Sequence, residues 1–190
     1  MAAFLKALSC AVHVLLLLVP PHACMASTTT LQDRCERYAG GDRSSYDYCV
    51  WTLQRADGAS ATSADDRGLA AIAARAARAT AKATGAKIAR LQANETVPAR
   101  RDCLAACAAE YAAAVRRLGR AARDAARGGG TLLQRAQTLL AEVTGTTARC
   151  DGAFDAARQY SPLDGADHGL DDQIELAIAL LPPPTTSSTT

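Results

Sequence analysis

The chain has 190 residues, of which 44 are Ala, two Phe, one Trp and five Tyr; so alanine-rich a composition favours helix and excludes a β-sandwich or barrel. A hydrophobic content of 49% with 21% charged residues is globular rather than disordered, and a net charge of +2 gives no ground for a nucleic-acid binder. Two of the three His, His13 and His22, fall in an N-terminal leader, so His168 alone can build neither a multi-histidine zinc site nor most triad chemistry.

That leader is read from Lys6, the 13-residue apolar run Ala7 to Val19, the break at Pro20-Pro21 and the small-residue exit Cys24-Met25-Ala26. The pattern predicts a secretory signal peptide over 1–26, cleaved after Ala26, because the apolar run is too short to span a bilayer. Export agrees with the glycosylation sequon at Asn94-Glu95-Thr96 and with the remaining cysteines. No membrane contact is expected after cleavage.

Cleavage leaves Cys35, Cys49, Cys103, Cys107 and Cys150, an odd number that predicts two bridges and one free thiol. Cys35 and Cys49 flank the polar segment Gly40 to Ser45 and are read as stapling a short hairpin. Cys150 then pairs with either Cys103 or Cys107, and spacing leaves both open. A metal reading lacks a second cysteine pair.

Gly58 to Ser63 reads as a small polar linker. Ser63-Ala64-Asp65-Asp66 reads as a capping box for a first bundle helix running to about Leu91, with Leu69, Ile72, Ala76, Ala79, Ala83 and Ala86 on its inner face. Asn94 to Val97 is the turn, and Pro98 suits the first position of a second helix. Its inner face is Leu104, Cys107, Tyr111, Val115, Leu118, Ala122 and Ala125, and Gly128-Gly129-Gly130 ends it. A third helix carries Leu133, Ala136, Leu140, Val143, Cys150, Phe154 and Ala157, with Gly145 as a soft point and Ser161-Pro162 as its stop. The last helix starts within Asp167 to Asp172 and holds Leu170, Ile174, Ala177, Ile178 and Leu181, before Pro182-Pro183-Pro184 and a polar tail. Long amphipathic helices with short connections predict an all-α protein, an antiparallel up-down four-helix bundle.

Charge is unevenly placed. Arg67 to Arg127 holds 13 basic and four acidic residues, whereas Asp151 to Glu175 holds seven acidic residues and only Arg158. Arg75, Arg78, Lys82, Arg116, Arg120 and Arg123 are read first as solvated outer faces that also pair with the acidic last helix. An anionic polysaccharide or an acidic cleft is the alternative partner. The adjacent carboxylates Asp65-Asp66 and Asp171-Asp172 suit helix N-termini rather than catalysis. Asp164, Asp167 and His168 fit a polar loop. Neither a cofactor motif nor a metal site is found, so the chain is expected to act by contact and not as an enzyme.

The assembled residues resemble the plant invertase/pectin methylesterase inhibitor family over about Leu31 to Leu181. The likeness rests on Cys35 and Cys49, Tyr46-Asp47-Tyr48-Cys49-Val50 with Leu53, Asp66 to Ile72, Cys107-Ala108-Ala109-Glu110-Tyr111 and Cys150-Asp151-Gly152-Ala153-Phe154. It is similar above all to the invertase-inhibitor subgroup that includes a plane-tree pollen allergen. The resemblance implies a short disulfide-stapled helical hairpin over 27–57 and a four-helix bundle over 63–181. Together they make one inhibitor domain over 27–181, with a disordered tail at 182–190. It implies bridges Cys35–Cys49 and Cys107–Cys150, which leaves Cys103 as the free thiol. It further implies a one-to-one complex with an acid invertase or a pectin methylesterase in the apoplast, cell wall or vacuole.

Two family motifs differ, since Leu140-Ala141-Glu142 replaces Ser-Ala-Ala and no Pro-Lys-Phe occurs. The loop Gln159, Tyr160, Ser161, Pro162, Leu163 and Asp164 is the positional counterpart of the latter and is expected to face invertase. Arg116, Arg120 and Arg123 are the expected contacts for a methylesterase, and also for a weak contact with pectin. An allergen-like, storage or pectin-binding protein without an enzyme target is the remaining alternative.

Overall fold

A computed structural model describes residues 30–163 and 168–183. The expected leader, the tail from 184 onward and Asp164 lie outside the described residues. All regular structure among the described residues is helical: α1 (Thr30–Ala39), α2 (Arg43–Ser63), α3 (Asp66–Asn94), α4 (Pro98–Arg127), α5 (Gly130–Val143), α6 (Thr146–Ala156) and α7 (His168–Leu180).

Helices α1 and α2 form a hairpin across Gly40 and Gly41, whose φ of 56° and 96° demand residues without a Cβ. Asp42 caps α2 by accepting from the Ser45 amide at 2.7 Å. A disulfide between Cys35 and Cys49 ties the pair at a Cα separation of 5.6 Å. Gly58 to Ser63 is not the small polar linker expected from its composition. Helix α2 kinks at Asp57 and Gly58, the latter at φ 32°, and then resumes to Ser63. The cap of α3 is also displaced. Ser63 Oγ turns back to the Ala59 and Ser60 carbonyls, and Asp65 accepts from the Gly68 amide at 2.8 Å instead.

Helices α3 and α4 make the largest pairing, over a three-residue connection. The Arg67 side chain lies over Gly128, Arg78 Nε donates to the Val115 carbonyl at 3.3 Å, and Gly85 faces Tyr111, so the two helices run in opposite directions. Helix α7 packs on α3, and α5 and α6 pack on α4. The inner face of α4 follows the expected stripe, with Leu104, Cys107, Tyr111, Leu118, Ala122 and Ala125 buried. That of α3 does not: Ala79, Ala83 and Ala86 are exposed, and the buried stripe runs through Ala70, Ala73, Ala77, Ala81, Thr84 and Ile88. The third helix is two helices. Gly145 adopts left-handed geometry at φ 75° and breaks the element between α5 and α6.

The Cys107–Cys150 disulfide fastens α6 to α4 at a Cα separation of 4.6 Å. Cys103, one turn before Cys107, is a buried free thiol whose Sγ donates to the Ala153 carbonyl at 3.3 Å. Polar contacts add to these covalent ties. Arg34 of α1 donates to the Leu180 carbonyl at 2.9 Å, which satisfies the C-terminal end of α7. Arg149 meets Glu110 at 2.8 Å and Arg117 meets Glu142 at 2.7 Å, both between α4 and the α5–α6 pair.

Asp124 of α4 is buried, and Arg135 of α5 donates to both its carboxylate oxygens at 2.7 Å. Those hydrogen bonds hold the Asp124 carboxyl below its ordinary range. A depressed carboxyl stabilises the fold above its unfolded pKa, and the contribution is lost as pH falls through the folded value, here below about pH 4. Arg135→Ala leaves a buried carboxylate without its fork. It is expected to lower Tm at neutral pH by on the order of 5 °C, more than Asp124→Ala/Arg135→Ala together. Thermal scans check this, and the gap from the unmodified chain should narrow as pH falls below the ordinary carboxylate range.

Candidate functional site

Two surfaces carry the residues singled out in the sequence. The first is the segment that leaves α6. Arg158 sits at φ 53°, a left-handed conformation uncommon for a side chain with a Cβ, and reverses the backbone. The turn is closed by the Gln159 amide donating to the Phe154 carbonyl at 2.9 Å. Ser161 Oγ donates to Asp151 at 3.4 Å and accepts from the Leu163 amide at 3.3 Å. Phe154 and Leu163 are buried at either end. Between these anchors Pro162 is exposed, and Tyr160 projects with 82% of its surface accessible. The loop thus holds one aromatic side chain outward on a backbone pinned at both ends.

The second surface is the outer side of α3 and α4. Arg116, Arg120, Arg123 and Arg127 follow one another at steps of four, three and four residues along α4, and all are exposed. That spacing places them in one row of about 16 Å. Arg75, Arg78 and Lys82 repeat the pattern on α3. The expected pairing with α7 is absent among the described residues: Arg75 binds Asp57 of α2 at 2.8 Å, and Arg116, Arg120 and Arg123 form no ion pair. Arg117 of α4, which pairs with Glu142, faces α5 instead. Arg116 and Arg120 thus form no ion pair among the described residues, whereas Arg123 and Arg127 help to lower the Asp124 carboxyl.

Sequence reasoning missed Trp51. It lies on α2, 55% exposed, with the Arg55 guanidinium 5.1 Å from its ring centroid. The available signal was its being the sole Trp of the chain, four residues before an arginine on a helix. Asn94, the sequon residue, ends α3 exposed to solvent, with its amide donating to the Arg90 carbonyl at 2.9 Å. Among the described residues no cluster of His, Cys, Asp and Glu is arranged to hold a metal, and no helix is long and apolar enough to cross a membrane.

These features define a helical bundle carrying a stapled hairpin, closed by two disulfides. Residues 23–180 match the family model of the plant invertase/pectin methylesterase inhibitors, and the chain belongs to that family. Its members are inhibitors of enzymes and not enzymes themselves. No significant match to a curated protein was found.

Proposed function

We propose that the chain is a secreted inhibitor of an acid invertase, and that the loop from Gln159 to Leu163 enters the mouth of the enzyme's cleft. Tyr160 carries this reading. An aromatic side chain held out on a braced loop loses little conformational entropy on docking and offers a large contact area. The left-handed Arg158 and the buried Phe154 and Leu163 support it by fixing the loop before the partner arrives. The hairpin and bundle act together over 27–181, after removal of the leader at 1–26. Asn94, exposed at the end of α3, suits a glycan in the cell wall or apoplast.

Blocking a pectin methylesterase is the second reading, favoured by the row Arg116, Arg120 and Arg123, which forms no ion pair among the described residues, on a face remote in sequence from the loop. A side-by-side titration of both enzymes with the oxidised protein at mildly acidic pH separates the two. Stoichiometric loss of invertase activity with methylesterase untouched is the expected outcome. Loss of methylesterase activity alone overturns the choice of target, and activity of both enzymes at molar excess overturns inhibition itself.

A further inference from the structure

We propose that the outer side of α3 is a binding track for an oligomer of uronic acid, a linear chain of sugar rings each bearing a carboxylate. Two grooves flank α3 and share Arg75. One, of about 360 Å³, lies towards α2 and α7 and is lined by Trp51, Arg55, Arg75, Thr80 and Gln173. The other, of about 230 Å³, lies towards α4 between Arg75, Arg78 and Arg123, over Gly119 and Ala122.

The two grooves offer complementary chemistry. The C–H bonds on one face of a pyranose ring are positively polarised and settle on the negative π face of an indole. Trp51 supplies that face. Gln173 lines the same groove and offers its side-chain amide to a sugar hydroxyl. Beyond Arg75 the groove between α3 and α4 presents guanidinium forks, which pair with carboxylates in two parallel hydrogen bonds. Its floor is low by necessity. A Cβ on Gly119 would stand 3.0 Å from Arg78 Nε, so glycine there leaves Arg78 free to lie across the groove. Asp57 is the acidic group bound to the shared arginine, and its charge is already matched by Arg75. The α4 row from Arg116 to Arg127 extends the positive strip past the groove.

A linear polyanion fits this surface better than a protein cleft does. Protein interfaces draw their affinity from a desolvated apolar centre, and this track has one aromatic among small residues, cations and the polar side chains of Thr52, Thr80 and Gln173. Pectin, the substrate of one of the enzymes that give the family its name, exposes such a row of carboxylates once its methyl esters are cleaved. The track is separate from the Tyr160 loop, so its occupancy is independent of inhibition through that loop.

Trp51 is the only Trp in the chain, and its emission therefore reports on the track directly. The mature oxidised protein would be titrated with oligogalacturonate and, in parallel, with the fully methyl-esterified oligomer. Retention in a gel containing each oligomer provides a second readout. Saturable change with oligogalacturonate alone is expected, weakening about tenfold between about 50 and about 200 mM salt. Arg78→Gln/Arg123→Gln should weaken it by about tenfold again, and Arg116→Gln/Arg120→Gln by less, each with an unchanged circular dichroism spectrum. Equal binding of the esterified oligomer would overturn the proposal. So would unchanged affinity in both double variants, or neither an emission change nor retention.

Discussion

Replacing Cys107 and Cys150 together by Ala is expected to cost about 4 kcal/mol of stability, the larger of the two disulfide losses. The bridge spans 43 residues, and in the chain-entropy model its removal releases a loop of that length in the unfolded chain. The Cys35–Cys49 bridge spans 14 residues and is worth about 3 kcal/mol on the same model. Guanidinium unfolding of the two double variants, followed by circular dichroism, measures the difference. Equal or reversed losses would show that native-state contacts, rather than loop length, set the contribution. The consequence reaches beyond stability. Helix α6 is short, follows the break at Gly145 and leads directly into the Tyr160 loop. Without its covalent tie to α4 it keeps Phe154, the Arg149–Glu110 pair and the Cys103 hydrogen bond as anchors. Cys103 lies one turn from Cys107, so the single variant Cys107→Ala invites a substitute bridge to Cys150, and the double variant avoids that confusion.

The bundle was legible where residues differ enough in size to mark a face. On α4, Leu104, Tyr111 and Leu118 stand out among alanines and set the phase correctly. On α3 alanine occupies both the buried and the exposed sides. The phase taken from Leu69 and Ile72 runs off by about one residue, which turns Ala79, Ala83 and Ala86 outward. Helices α1, α2, α4 and α7 all pack against α3, and every residue from Leu69 to Ala74 is buried. Apolar residues there could not single out one side, whereas Ile88, nearer the far end, marks it. Helix ends followed local chemistry well at Pro98 and Gly128. They followed it poorly at Ser63, where Asp65 competes for the cap, and at Gly58, where a single kink replaces a linker. Of the candidate surfaces, the basic row was visible as spacing. Its lack of ion pairs among the described residues depends on how α3, α4 and α7 assemble, which no local pattern encodes. Trp51 carried no periodic signal, and its importance arises only from the grooves around α3.

Tyr160→Ala is expected to weaken enzyme inhibition by about 30-fold or more, the effect of removing a central aromatic anchor from a protein interface. With 82% of its surface already accessible, Tyr160 contributes little to the core, so Tm should stay within about 2 °C. Leu163→Ala acts through a different route. Leu163 is 1% exposed, and its truncation is expected to cost about 2–5 kcal/mol of folding stability while also loosening the loop. Arg158→Gly separates preorganisation from contact. Glycine accepts the φ of 53° without strain but gives the unbound loop more freedom, so inhibition should weaken severalfold with every contacting side chain intact. Inhibition constants and thermal scans on the three variants distinguish these routes: contact without stability for Tyr160, both for Leu163, and rigidity for Arg158. If Tyr160→Ala inhibits as well as the unmodified chain while Arg116→Gln/Arg120→Gln/Arg123→Gln does not, the interface belongs on α4. The braced loop would then be only the closure of α6 onto the core.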